Sequence, residues 1–220
     1  MTKKRVLLTG ASRGIGKGIK NVLEETGLYD LVTPTRQEMD LSNLESVNSY
    51  MTSAGDVDIL INNAGMIKGN FTDESIKAKV FVNLVVPIKL TQLVAEGMKK
   101  KKWGRIVNVS SAAGILGHPT DSIYSATKFG INGYTKSMAK QLGKYNILIN
   151  SICPGTTESD GLRSRLGEYD PDEMAAQLVP LQRISSPAEV AEFIKFLIGD
   201  KNTYITGAIL AIDGGLTSSI

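Results

Sequence analysis

The chain is poor in the residues that build disulfide frameworks and metal centres. Its 220 residues include one cysteine and one histidine. A single cysteine cannot form a disulfide within the chain, and one thiol with one imidazole is no multi-ligand metal site. The sequence therefore predicts no metal, and cysteine usage of this kind is typical of a reducing cytoplasm.

The chain also lacks long apolar runs and a strong charge of either sign. No apolar run approaches the roughly 20 residues that span a bilayer. The basic start is followed by an apolar stretch too short for a signal peptide. The net charge is only +3, and the lysines at 99–102 suit the end of a solvated helix. We expect a soluble cytoplasmic protein that binds neither nucleic acid nor membrane.

Short apolar segments alternate with longer segments of helical periodicity. The short segments are rich in Val, Ile and Leu with little polar alternation, which is typical of strands buried on both faces of a parallel sheet. The predicted strands are residues 5–9, 30–33, 58–62, 105–110, 146–152 and 208–212. The predicted helices are residues 15–26, 42–54, 73–98, 122–143 and 187–199.

This alternation predicts an α/β fold with a doubly wound, mostly parallel Rossmann-type sheet in one domain, residues 1–220. Pro87 lies inside the third predicted helix and should kink it. Residues 156–186 depart from the alternation, since they carry many charges, two prolines and a weak apolar pattern. We interpret them as a small helical excursion that forms a flexible flap over the site.

A glycine-rich turn joins the first predicted strand to the first helix. Gly10, Gly14 and Gly16 let the backbone turn tightly, and the helix N-terminus offers free N–H groups to a phosphate. Their spacing differs from the common G-x-G-x-x-G fingerprint. A tight turn without a ligand is the alternative. The other residues of this turn that we expect at the ligand are Ser12, Arg13 and Ile15.

The turn at residues 9–16 resembles the cofactor loop of the short-chain dehydrogenase/reductase family, in its single-domain branch. The resemblance continues along essentially the whole chain, and residues 111–130 are similar to the 3-oxoacyl-acyl-carrier-protein reductases. Further positions that match cofactor-binding motifs of the family are Asn62, Ala64, Gly65, Pro154 and Gly155. The resemblance implies a nicotinamide cofactor and a homo-oligomer, either a tetramer or a dimer.

Tyr124 and Lys128 lie four residues apart, which places them on one face of a helix. A free tyrosine has a pKa of about 10, and a nearby positive charge lowers it towards the range useful for proton transfer. A packed tyrosine beside a solvated lysine is the alternative. The resemblance makes both residues catalytic and places them at the nicotinamide ribose.

Ser111 and Asn83 complete the catalytic set that the resemblance implies. Ser111 ends a buried strand, where ligands bind in parallel sheets, and would hydrogen-bond the substrate oxygen. Ser110 is the neighbouring candidate, and a turn-forming hydroxyl is the structural alternative for either. Asn83 is a poor helix former within a predicted helix. It is either an exposed polar position or a residue that holds a water beside Lys128.

The end of the second predicted strand favours NADP, bound as NADPH, over NAD. An acid there would grip a ribose 2′-hydroxyl, whereas an arginine accommodates a 2′-phosphate. Arg36 stands near this position and Arg13 lies in the glycine turn, and two guanidinium groups suit a phosphate. In the alternative, Arg36 is an ordinary loop residue and Glu38 serves the ribose.

Asp40 and Leu41 resemble the adenine-side contacts of the family. Asp40 is equally suited to cap the following helix, with Ser42 as the other candidate cap. On the nicotinamide side, Thr157 and Ser159 follow Pro154 and Gly155 and are both candidates to bind the carboxamide.

The sequence thus predicts an NADP(H)-dependent oxidoreductase that transfers a hydride between nicotinamide and a carbonyl or secondary alcohol. Its substrate would be a small or carrier-linked molecule. A sugar-nucleotide-modifying enzyme shares the tyrosine and lysine, but its branch has different glycine spacing and a longer C-terminal substrate domain. A non-catalytic dinucleotide sensor has no reason to keep Asn83, Ser111, Tyr124 and Lys128 together.

Overall fold

The computed structural model describes residues 3–67, 71–159, 162 and 170–218. The strands are β1 (Lys4–Leu8), β2 (Tyr29–Val32), β3 (Ile59–Asn62), β4 (Gly104–Val109), β5 (Ile147–Pro154) and β6 (Ile209–Ile212). The helices described are α1 (Gly14–Thr26), α2 (Leu44–Ser53), α3 (Asp73–Val80), α4 (Val86–Lys101), α5 (Ser122–Leu142), α6 (Pro171–Leu178) and α7 (Pro187–Ile198). A π-helical turn, Phe81–Val85, joins α3 to α4.

The predicted alternation of strands and helices is confirmed, with boundaries that shift by at most three residues. The helical excursion expected within residues 156–186 is present as α6. Residues 160–161 and 163–169 of the predicted flap lie outside the described residues.

All the strands run parallel in one sheet of order β2-β1-β3-β4-β5-β6. The chain passes from β1 to β2 at one edge and then returns across β1 to reach β3. Helices that follow β1 and β3 therefore lie on opposite faces, which opens a crevice beyond the carboxyl ends of these two strands. Ligands of doubly wound folds bind at such a switch point.

The sheet is covered on both faces by apolar helices. One core cluster packs residues of α1 and α7 against the sheet, and the other packs residues of α2, α4 and α5. Side chains of β1 alternate between them, since Val6 and Leu8 join the first cluster and Leu7 the second. This two-sided burial explains why the strand sequences are almost continuously apolar.

The irregularity expected at Pro87 begins before the proline. Pro87 lacks the N–H that would bond to the carbonyl of Asn83 in a continuous α-helix. The chain takes up a π-helical turn over Phe81–Val85, and the N–H of Val86 bonds to the carbonyl of Phe81. Pi-helical turns of this kind often mark functional positions.

Among the described helices, the run Asp73–Lys101 is the one long and apolar enough to cross a membrane by length and composition alone. Half of its most apolar window is buried inside the protein. Leu90, Val94 and Met98 belong to the second core cluster. The run is built as a core helix of the α/β fold.

Two helical glycines offer a test of the packing between α1 and α7. A Cβ at Gly18 would lie 2.6 Å from Cβ of Pro187 and 2.8 Å from its carbonyl carbon, whereas a Cβ at Gly133 meets nothing within 4 Å. We expect Gly18→Ala to lower the free energy of unfolding by roughly 1–3 kcal/mol through overpacking. Gly133→Ala should raise it by roughly 0.5–1 kcal/mol through reduced backbone entropy. Urea unfolding measures both, and equal effects would contradict the packing described.

Candidate active site

The glycine turn after β1 is packed so closely that side chains cannot enter it. Gly10 has a φ of +70°, and a Cβ there would lie 2.9 Å from Cα of Ala64. A Cβ at Gly16 would lie 1.9 Å from the carbonyl oxygen of Gly10. The start of α1 and the turn before it therefore approach each other at a distance that only glycine permits.

Thr9 and Asn63 hold this turn against the loop that follows β3. The amide of Asn63 donates to the carbonyls of Thr9 and Gly10, both at 3.0 Å. The hydroxyl of Thr9 accepts the N–H groups of Asn63 and Ala64, each at 3.0 Å. The sequence did not single out either residue, although Asn63 lies inside a recognised motif. Together they fix the crevice at the switch point between β1 and β3.

The start of α1 is suited to a phosphate. Within the described residues no side chain caps this helix, and its first turn carries no acid. Ser12 and Arg13 are exposed beside it, while Ile15 packs into the first core cluster. Free N–H groups, a positive dipole end and a close backbone approach fit the pyrophosphate of a dinucleotide.

Arg36 is an exposed charged group beyond the end of β2. Its side chain is 83% exposed and its Nε lies 3.6 Å from Oδ1 of Asp40. Glu38 is engaged in its own loop, because its Oε2 accepts the N–H of Thr35 at 2.7 Å and its hydroxyl at 2.8 Å. These two bonds lower the pKa of Glu38 below its usual value. This carboxylate is therefore less available to a ribose than Arg36 is to a phosphate.

The prediction that Asp40 or Ser42 caps α2 was wrong. Its N-cap is Asn43, whose Oδ1 accepts the N–H groups of Glu45 and Ser46. Asp40 instead accepts the N–H and hydroxyl of Ser42 at 2.9 and 2.7 Å, bonds that lower the pKa of Asp40. The helix begins later than expected, because neither Asp40 nor Ser42 is placed to reach its first free N–H groups.

Leu41, the other predicted adenine contact, is half-buried. It packs against the second core cluster.

Lys128 is buried beneath the carboxyl end of β4. It is 4% exposed, and its Nζ donates to the carbonyl of Val109 at 2.8 Å. The same Nζ lies 5.5 Å from the ring centroid of Tyr124, which is 8% exposed. Burial lowers the pKa of Lys128 to about 8, and the nearby Cys153 opposes this shift. A lysine in this state can exchange a proton near neutral pH.

The structure distinguishes the two serines at the end of β4. Ser110 is buried, and its hydroxyl donates to the backbone carbonyl of Lys128 at 3.2 Å. Ser111 is half-buried, and its Oγ accepts the N–H of Ala113 at 3.1 Å. That bond leaves the proton of Ser111 available to a ligand. Of the two serines, Ser111 is thus the one whose hydroxyl is not committed to a buried backbone carbonyl.

Asn83 is buried and joins the π-helical turn to the loop after β3. Its interpretation as an exposed polar position was therefore wrong. It is 2% exposed, and its amide accepts the N–H of Met66 at 2.7 Å and donates to the carbonyl of Met66 at 2.9 Å. A Cβ at Gly65 would lie 3.5 Å from Oδ1 of Asn83 and 3.7 Å from Nζ of Lys128. The loop after β3, the π-helical turn and α5 therefore meet at one point.

Asn62 directs its side chain away from the crevice. It is 4% exposed, and its amide donates to Oδ1 of Asn108 at 2.8 Å. The next residue, Asn63, faces the glycine turn instead. The side chain of Asn62 therefore joins β3 to β4 inside the protein.

The candidates after β5 lie at different places. Ser159 lies beside the glycine turn, since its Cβ is 3.4 Å from the point where a Cβ of Gly14 would be. Thr157 shares a hydrogen bond of 2.8 Å with the hydroxyl of Ser185. Pro154 ends β5 opposite Ile212 of β6. At Gly155, a Cβ would lie 2.9 Å from Cα of Asp213.

The glycine turn, residues 9–16, forms a phosphate cradle at the switch point. Tyr124 and the buried Lys128 lie near the carboxyl end of β4. Together these features define a dinucleotide-dependent oxidoreductase of Rossmann type. A family model described as enoyl-(acyl carrier protein) reductase matches residues 5–217. The chain belongs to the short-chain dehydrogenase/reductase family of NAD(P)-dependent oxidoreductases.

Relatives and solved structures match nearly the whole chain. The chain is 34% identical over 238 residues to the 3-oxoacyl-(acyl-carrier-protein) reductase FabG of Vibrio cholerae, covering 97% of each. It is similar to 4-hydroxyisoleucine dehydrogenase complexed with NADH, with a TM-score of 0.91 and 30% identity over 99% of this chain and 100% of that one. It is also similar to ElxO with NADP bound, with a TM-score of 0.89 and 26% identity over the same shares.

Removal of the buried charge at Lys128 should stabilise the ligand-free protein. The pKa falls from 10.5 to about 8 on folding, and each unit corresponds to about 1.4 kcal/mol. Since the bond to Val109 is lost as well, we expect Lys128→Met to raise the free energy of unfolding at pH 7 by roughly 1–3 kcal/mol.

The gain in the free energy of unfolding of Lys128→Met should depend on pH. Between pH 8 and pH 10.5 the unfolded chain binds the proton and the folded chain releases it, so wild-type stability rises with pH relative to the variant. The gain should therefore shrink across this range and vanish above it. Urea unfolding at several pH values measures it, with Lys136→Met, an exposed position on α5, as the control. A gain that does not depend on pH would contradict the assignment.

Proposed function

We propose that the protein is an NADP(H)-dependent reductase of carbonyl groups in small or carrier-linked 3-oxoacyl substrates. The observation that carries the proposal is the buried Lys128 beside Tyr124, with its Nζ bonded to the carbonyl of Val109 at the end of the strand that leads to Ser111. The similarity to 3-oxoacyl-(acyl-carrier-protein) reductases supports the substrate class. We propose further, from the family resemblance and the single cysteine, that it works as a homo-oligomer in the cytoplasm.

The proposed roles follow from the chemistry of each side chain. The phenol of Tyr124 donates a proton to the substrate oxygen as negative charge develops there. The hydroxyl of Ser111 donates a hydrogen bond to the same oxygen. The ammonium of Lys128 favours the phenolate left on Tyr124, and by the family resemblance it would contact the nicotinamide ribose. When bound, the cofactor would supply the hydride.

The preference for NADP(H) rests on Arg36 and Arg13. Both are exposed, Arg13 in the glycine turn and Arg36 beyond the end of β2, and a guanidinium group can bind two oxygens of a phosphate at once. Glu38, the acid that would favour NAD, is bonded to Thr35. The turn at the start of α1, with Gly10, would hold the pyrophosphate.

Replacement of Tyr124 tests the catalytic assignment. We expect Tyr124→Phe to lose most of its turnover, at least about 100-fold, because the proton donor is removed. The affinity for NADPH, measured by fluorescence titration, should be retained. Tyr134→Phe changes a half-buried tyrosine on the same helix and should keep its activity. Turnover of Tyr124→Phe at the wild-type rate would disprove the role of Tyr124.

The reaction class is tested by comparing a 3-oxoacyl thioester with the corresponding 2-enoyl thioester. The description of the matching family model makes the second substrate a necessary control. We expect oxidation of NADPH with the 3-oxoacyl compound. Oxidation with the enoyl compound alone would replace carbonyl reduction by reduction of a carbon–carbon double bond.

Replacement of Arg36 tests the cofactor preference. Loss of a charge-assisted bond to the 2′-phosphate should lower kcat/KM for NADPH by roughly 10-fold or more in Arg36→Ala. The value for NADH should change little. Lys140→Ala, at an exposed position of α5, controls for the general loss of positive charge. Equal losses with both cofactors, or a wild-type preference for NADH, would refute the assignment.

A further inference from the structure

A second lysine is buried where α3 passes into the π-helical turn, and it belongs to an ion pair. Lys79, in the last turn of α3, is 3% exposed. Its Nζ donates to both carboxylate oxygens of Asp121, at 2.8 and 2.6 Å. Two buried charges are costly to desolvate unless their geometry is well satisfied. This pair was not predicted from the sequence, since a lysine on a polar helix usually faces water.

Asp121 connects the pair to the backbone of Tyr124. It is the N-cap of α5, and its Oδ1 accepts the N–H of Tyr124 at 2.9 Å. Burial acts to raise the pKa of Asp121, but the bonds from Lys79 and from the Tyr124 N–H outweigh it and lower the pKa. The carboxylate is therefore fixed in its charged form, with three hydrogen bonds that leave it little freedom to rotate.

The carbonyl of Tyr124 is tied to the same part of the chain. It accepts the hydroxyl of Thr127 at 2.7 Å, and that hydroxyl in turn accepts the amide of Asn83 at 3.3 Å. Lys79 and Asn83 are four residues apart on one helical run, at the point where α3 passes into the π-helical turn. Both peptide groups of Tyr124 are thus bonded, through one intermediate side chain each, to this short segment.

We propose that Lys79 and Asp121 are positioning residues that set the orientation of Tyr124 towards Ser111 and Lys128. This proposal rests on the function proposed above. A shift of about 1 Å at a reacting group is enough to slow a reaction roughly 100-fold. The contacts described for the pair join the end of α3 to the start of α5 and do not involve the glycine turn. We therefore expect it to act on turnover and not on cofactor binding.

A matched pair of double variants tests the proposal. Lys79→Met with Asp121→Asn removes both charges while the asparagine keeps an acceptor that can cap α5. The control is Lys101→Met with Asp58→Asn. Asp58 likewise accepts a lysine, at 2.8 Å, and one backbone N–H, that of Arg5 at 2.9 Å, but at the opposite end of the sheet. Each double variant therefore loses a lysine–carboxylate pair, and the control also loses the 3.4 Å contact of the more exposed Lys101 with Asp56.

Turnover, cofactor affinity and amide hydrogen exchange are measured at a temperature where both variants are folded. With a 3-oxoacyl thioester and NADPH, we expect kcat of the Lys79/Asp121 variant to fall roughly 10- to 100-fold with an unchanged Kd for NADPH. The control should keep its kcat. Amide hydrogen exchange over residues 121–125 should quicken in the first variant and not in the control.

The exchange readout separates this proposal from the proposed function. If the wild type reduces no carbonyl substrate, the proposed function fails, and faster exchange over residues 121–125 still supports the hold of the pair on Tyr124. Unchanged exchange overturns the proposal in any case. A kcat loss that is equal in both double variants, or absent from the Lys79/Asp121 variant, overturns it for an active enzyme.

Discussion

A lysine ammonium that has been withdrawn from water is the constraint on which the site depends. Nζ of Lys128 must find acceptors inside the protein, and the carbonyl of Val109 at the end of β4 is one. This bond draws α5 onto the carboxyl edge of the sheet, and the loop after β3 passes close by at Gly65. Burial of the charge opposes folding, while the lowered pKa suits proton exchange near neutrality. The same burial thus lowers the stability of the folded protein and brings the pKa of Lys128 into the range useful for proton transfer.

The glycine turn in the crevice is shaped by backbone contacts that exclude side chains. Backbone approaches at Gly10 and Gly16 leave no room for side chains, and Asn63 and Thr9 close the contact with hydrogen bonds. These contacts lie where the chain reverses direction across the sheet, between β1 and β3. The cradle and the reacting groups are therefore placed by neighbouring strand ends, and each is fixed by different contacts.

The fold was predictable because strands buried on both faces are written as continuous apolar runs. Tyr124 and Lys128 were predictable as neighbours because their spacing matches one helical turn. Orientation was harder, since Asn62 and Asn63 are identical residues that point to opposite sides. The cap of α2 was missed because Asp40, Ser42 and Asn43 are all good capping residues. Lys79 carried no signal at all, as its partner Asp121 is 42 positions away.

The π-helical turn at Phe81–Val85 amounts to one extra residue in an otherwise α-helical run. A single added residue rotates everything that follows by about 100°. The segment with Lys79 and Asn83 can therefore face α5, while α4 independently turns Leu90, Val94 and Met98 into the core. Deletion of one residue there would force a choice between the two orientations. The turn thus shifts the phase of the helical repeat. Residues before and after it can therefore face two different neighbours, which a regular α-helix would not allow.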